Sequence, residues 1–169
     1  MKLKLKEIAL FALLGVLMFT SKKLMEFLPN IHLVGTLTVA YTAAFRSKAL
    51  FPIYVYVFLD GLFGGFGLWW YPYLYIWTVL WAFAMLIPQN LPKKFLVILY
   101  ISVCGLHGFL FGVLYSPFQA LAFGLDFKGT INWIIAGIPF DVIHGVSNLL
   151  VGTLIFPIAS VLKKAVNRI

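Results

Sequence analysis

The chain has 169 residues, of which 63% are hydrophobic and 11% charged, and a formal net charge of +8; its mean hydropathy is +1.01 and its pI is near 9.7. That apolarity excludes an ordinary soluble domain, and the length leaves room for one domain over 1–169 and no second. In a soluble protein the basic excess would point to nucleic acid, but here loop anchoring at a membrane accounts for it and no nucleic-acid partner is expected.

Charges gather between apolar runs at 5–20, 31–45, 49–67, 70–88, 95–116 and 131–159. Each run is close to the about 17–25 residues that cross ~30 Å of hydrocarbon as a helix. The predicted fold is an all-α integral membrane protein, a six-transmembrane-helix bundle. The first run resembles a signal peptide, but no small-residue cleavage site follows, and Ser21, Lys22 and Lys23 close it as a loop would. Pro29 and Asn30 mark the next turn, and Asn30 and His32 stand at the outer entry to span 2, either as part of a lid or simply solvated. In span 3, Pro52 falls in the first turn, where proline is tolerated, and Gly61 with Gly65 forms a GxxxG pattern. Asp60 is roughly 16–18 Å from the cytoplasmic end of that span.

Span 4 opens with GLWWYPYLYIWTVLW. Trp70, Tyr73, Trp77 and Trp81 fall at about 0°, 300°, 340° and 20° on a helix wheel, one aromatic stripe suited to stacking a flat ligand. An interfacial aromatic belt explains the outer members equally well. Breakers from Pro88 to Pro92 end the span. Span 5 carries Cys104, whose solitude excludes an intramolecular disulfide, together with His107 and a second GxxxG at Gly108 and Gly112. Ser116 with Pro117, then Asp126 to Gly129, are read as its outer boundary. In span 6, Pro139 is expected to kink the helix. Asp141 lies about 13–14 Å inside the outer end, and His144 and Asn148 follow at about 300° and 340° on the same face. An ionisable group at that depth is costly unless paired or facing a wet cavity. The alternative to a ligand site is that Asp141 pairs with His144 or His107 to hold helices together.

With six spans, both termini share one side. Lys2, Lys4, Lys6, Arg46, Lys48, Lys93, Lys94, Lys163, Lys164 and Arg168 fall there, leaving Lys22, Lys23 and Lys128 opposite: ten of the 13 Lys and Arg. The positive-inside bias puts both termini in the cytoplasm. Arg46 and Arg168 are then cytoplasmic, so an outward cavity has no guanidinium for an anion and the ligand is expected to be neutral or cationic. The chain holds no GxxxxGK[ST] loop, no GxSxG elbow and no HExxH pair, so neither ATP hydrolysis nor the commonest hydrolytic chemistries are expected of it. No catalytic residue, metal site or cofactor is assigned.

Several of these features together, namely six short spans, the LPNIH entry to span 2, GFGLWWYPYLYIW and GIPFDVIHGVSN, resemble a substrate-binding S component of energy-coupling factor (ECF) transporters. The resemblance implies a subunit of the prokaryotic plasma membrane that captures a vitamin from outside. It also implies docking with a transmembrane coupling subunit and two cytoplasmic ATPases. Members often carry AxxxA-type small residues on helix 1 for that docking; here Ala9, Ala12 and Gly15 stand at spacing three instead. The Met-His segment of nickel and cobalt members is absent, which disfavours a metal ion as cargo. On this reading Trp70, Tyr73 and Trp77 stack a flat heteroaromatic or corrinoid, and His107, Asp141, His144 and Asn148 hydrogen-bond it, with Asn30, His32 and Asp60 nearby. Cobalamin is the first candidate, a queuosine precursor or pyrimidine-type vitamin the second. A structural membrane protein of the cell-wall elongation machinery, similar to the MreD type, shares the size and span number and needs no ligand. An intramembrane acid–base enzyme built on Asp141 lacks an accompanying nucleophile.

Overall fold

The computed structural model describes residues 4–166; Lys2 and Arg168, two of the ten basic residues assigned to one face, lie outside them. Among the described residues the secondary structure is entirely helical: α1 (Leu5–Leu24), α2 (Val34–Phe45), α3 (Leu50–Gly64), α4 (Tyr73–Met85), α5 (Lys93–Phe109), α6 (Phe111–Phe123), α7 (Phe127–Val151) and α8 (Ile155–Val166), with 3-10 turns at Arg46–Ala49 and Gly152–Leu154. Lys93–Phe123, 31 residues, and Phe127–Ala165, 39 residues, are long and apolar enough to cross a membrane.

Where the expected boundaries fail, local chemistry explains it. α1 continues through Ser21, Lys22 and Lys23 to Leu24, with the Ser21 hydroxyl donating back to Met18 O at 2.8 Å inside the helix instead of ending it. α3 and α4 hold only 15 and 13 residues. The chain between them turns at Gly65, whose φ of 83° suits glycine. Trp70 therefore sits in a turn ahead of α4, not on its first turn as expected. Ser116 and Pro117 do not end a helix: the helical run is interrupted earlier, at Leu110, and α6 runs through both. Pro117 cannot donate to Val113 O, and the Ser116 hydroxyl takes that carbonyl at 2.9 Å. α7 passes through Pro139 without a break, starting at Asp126, which accepts from the Gly129 amide as an N-cap. The expected last span divides at Gly152.

α2 is the centre of the molecule. Val34 to Ala43 are all buried, and the helix packs against α4 and α8, while α1 lies on α3 and α5 on α7. Glycines permit the closest approaches. A Cβ on Gly15 would strike Val55 and the Pro52 carbonyl of α3, and one on Gly108 would strike the Gly145 backbone of α7. Gly61, by contrast, faces no helix; its open face receives the Phe66 and Trp70 rings.

The exterior is rich in large apolar side chains, and polar side chains are buried within a largely apolar core. Leu5, Leu13, Phe63, Leu121, Ile135 and Val161 are exposed, whereas Thr36, Thr38, Thr42, Asp60, His107, Asp141, His144, Ser147 and Asn148 are buried. Unpaired polar groups in such an interior cost about 1–3 kcal/mol each, so the residues that surround them decide what the interior is for.

Candidate binding site

The segment 25–33 folds inward between α1 and α2. Successive turns, Leu28 N–H to Met25 O and Ile31 N–H to Leu28 O, lead to Asn30 at φ 60°, a left-handed conformation that asparagine tolerates. The turn aims His32 into the bundle, 4.9 Å from the His144 ring and 6.2 Å from Trp77. Burial, with His144 and Lys22 adding to it, pushes His32 down to about 3. The ring is thus neutral, with one N–H and one lone pair.

Trp77, 1% exposed, is the hub. It touches Tyr73 one turn earlier on α4, Tyr56 on α3, His107 on α5 and Phe111 on α6, at ring separations of 5.7, 6.1, 5.6 and 5.9 Å. The contacts with Tyr73 and Tyr56 are edge-on, an arrangement that aromatic quadrupoles favour, and those with His107 and Phe111 are tilted. His107 Nε2 lies 3.1 Å from Ile76 O. A carbonyl only accepts, so Nε2 carries the proton and Nδ1 is left as an acceptor. That Nδ1 is buried without a partner, as are His32 Nδ1, His144 Nε2, Trp77 Nε1 and the Tyr56 hydroxyl. Five unpartnered polar atoms are thus carried by rings that form one contact network.

The polar stripe of α7 shares one face, as its spacing predicts, and that face meets α5 and α6, but its members do different things. Asn148 donates to Cys104 O at 3.1 Å and packs on Gly35, a clasp between helices. Asp141 pairs with neither His144 nor His107. Both its oxygens accept from the Gly112 amide, at 3.1 and 3.0 Å, just past the Leu110 break that frees that N–H. Asp60 belongs to a different group: Lys22 Nζ lies 2.6 Å from its carboxylate and 5.0 Å from the Tyr73 ring centre, so this ion pair borders the aromatic network at Tyr73. Trp70 is fixed by its Nε1 donating to Val57 O at 2.7 Å, and Trp81 by donating to Arg46 O at 3.2 Å. Of the four-residue stripe, only Tyr73 and Trp77 reach the interior.

Three cavities adjoin the cluster; one of about 160 Å³ beside His107 is otherwise lined by apolar residues of α4, α5 and α6 and by Leu110. Another of about 180 Å³ lies under the 25–33 segment, lined by Lys22, Pro29, Asn30, His32 and Tyr73 among others. A third of about 240 Å³ opens between α6 and α7, with Asn30, Phe111, Tyr115, Trp133 and Asp141 on its walls. No family model, characterised protein or solved structure matches the chain.

Lys22, Tyr56, Phe111, Tyr115 and Trp133 were not singled out from sequence. Phe111 had a signal, one turn after His107 on the same face; Lys22 had none, because its partner is 38 residues away. Of the expected docking residues, Ala9 and Ala12 are exposed on α1 while Gly15 is buried against α3, so the three do not form one outward face.

Proposed function

We propose that the chain is a six-span subunit of the prokaryotic plasma membrane, similar to the S components of ECF transporters, that binds a small micronutrient rather than acting as an enzyme. α1, α2, α3, α4, α5–α6 and α7–α8 are its spans, and both termini are cytoplasmic by the ten-to-three split of basic residues. The apolar exterior supports the membrane setting. The observation that carries the binding role is the network around Trp77: two histidines and a tryptophan wholly or nearly buried, a third histidine delivered by the 25–33 segment, and five polar atoms without partners. A merely structural core has no use for that many unmade hydrogen bonds.

The cavities favour a flat heteroaromatic over the corrinoid. Their volumes, about 160, 180 and 240 Å³, lie below the ~300–1,000 Å³ typical of sites for drug-sized ligands, and a cobalamin far exceeds each. A queuosine precursor or pyrimidine-type vitamin is the better fit in size. Import then requires the coupling subunit and two ATPases, with exposed Ala9 and Ala12 of α1 as the contact. Asn148 on Cys104 O and Asp141 on Gly112 N are the contacts a ligand-free scaffold of the MreD type would also need. Uptake separates the two readings. Cells expressing this chain with a coupling subunit and ATPases should accumulate the micronutrient; accumulation that is identical without this chain would sink the transport role.

A further inference from the structure

Four lysines at one end of the bundle have, among the described residues, no carboxylate to meet. The chain has five acidic residues, and each is committed elsewhere: Glu7 to Lys48, Glu26 to Lys23, Asp60 to Lys22, Asp126 to the cap of α7 and Asp141 to the Gly112 amide. Lys93 and Lys94 open α5, and Lys163 and Lys164 stand in the last turn of α8. The two pairs meet at one place. Lys93 Nζ stands 4.8 Å over the Phe156 ring, which joins the start of α5 to the start of α8. Lys163 follows Phe156 by seven residues and so projects from the same face of α8, about 10 Å further along. All four lysines are exposed. The start of α5 adds to the positive potential, since Pro92 supplies no side-chain cap and the first amides of a helix carry the positive end of its dipole. Like charges gathered without a counter-charge repel one another, and a bound anion relieves that repulsion. Beside the lysines the surface is apolar, with Phe95, Ile98 and Val161 all exposed.

We infer that the start of α5 and the end of α8 form a binding site for an anionic phospholipid, with Lys93, Lys94, Lys163 and Lys164 around its phosphate and its acyl chains on Phe95, Ile98 and Val161. Such a lipid brings in one molecule the negative charge that the lysines lack and the apolar area that their neighbours leave uncovered. A soluble phosphate or an acidic protein surface would answer the charges and leave the apolar side chains bare. The inference rests on the membrane setting proposed above, and on neither the cargo nor the partner subunits.

The test is titration of the delipidated, detergent-purified full chain with phosphatidylglycerol, phosphatidylcholine and inorganic phosphate, with bound species counted by native mass spectrometry. At about 0.01 M salt, where charges act over ~30 Å, phosphatidylglycerol should bind at least about tenfold more tightly than the zwitterionic phosphatidylcholine, since each lysine near an anionic lipid contributes about fivefold. The ratio should collapse at about 1 M salt, where the range falls to ~3 Å. Lys93→Gln, Lys94→Gln, Lys163→Gln and Lys164→Gln combined should bring the ratio close to one, and arginine at the same four positions should preserve it. Lys6→Gln with Lys128→Gln, which removes charge elsewhere on the surface, should leave the ratio as it was, and inorganic phosphate at the lipid's concentration should not displace the lipid. A ratio near one in the unsubstituted chain would overturn the inference and leave the lysines to an acidic protein surface. A ratio indifferent to salt, one that survives the four glutamines, an equal loss in the Lys6 and Lys128 variant, or displacement by inorganic phosphate would overturn it as well; the salt series needs no variant to fold. Each of these failures leaves the micronutrient reading standing, because uptake tests that on its own.

Discussion

Lys22 and Asp60 show how a single residue can matter more than its position in the sequence suggests. Asp60 is 2% exposed and among the described residues its charge is balanced by Lys22 alone, so Lys22→Met should destabilise the protein by about 3–5 kcal/mol, the cost of leaving a buried charge unpaired. Adding Asp60→Asn should recover much of that loss. Melting temperatures of the two variants in detergent measure it; equal melting of Lys22→Met and the unsubstituted protein would mean the pair is not formed. This pair was illegible in the sequence, where Asp60 reads as a member of the deep polar group and Lys22 as an outer loop charge. The α7 stripe was legible, because spacing by three and four puts Asp141, His144 and Asn148 on one face whatever surrounds them. Their partners were not, since the freed Gly112 amide depends on a helix break at Leu110 that has no signature in an apolar run.

At the scale of helices, close approach decides stability. α5 and α7 touch backbone to backbone at Gly108 and Gly145, so Gly108→Ala should push them apart and cost about 1–3 kcal/mol, the usual penalty for overpacking. Gly137→Ala, in the same α7 but facing open space, should stabilise by about 0.5–1 kcal/mol through the better helix propensity of alanine. Opposite shifts in melting temperature are the expected result, and shifts of the same sign would contradict this packing. The helical class was readable from the apolar runs, and the breakers at Pro29–Asn30 and at Asp126 fall where helices stop. Prolines misled where a neighbour compensates: Pro117 stays in α6 because Ser116 supplies the missing hydrogen bond. The aromatic stripe failed at its outer end for a related reason, since the Gly65 turn delays α4 to Tyr73 and leaves Trp70 off the helix.

At the scale of the whole molecule, thiol labelling tests the proposed orientation and uptake tests the proposed partnership. Lys128→Cys should react with an impermeant thiol reagent on intact cells and Lys94→Cys should not, by the positive-inside bias. Native Cys104 is buried and does not compete for the reagent. Ala9→Trp or Ala12→Trp should block uptake and spare ligand binding, because both residues are exposed on α1 and touch nothing in the site. The central claim is that the network around Trp77 holds a ligand. Native mass spectrometry of the purified chain, paired with the melting temperature after the ligand is stripped, tests it most directly in the unsubstituted protein and in His144→Gln. A small flat nitrogenous molecule should accompany the unsubstituted chain and be lost from His144→Gln, with stripped melting temperatures nearly equal. A chain that carries no ligand and melts markedly lower as His144→Gln would contradict the account and make the cluster a packing device.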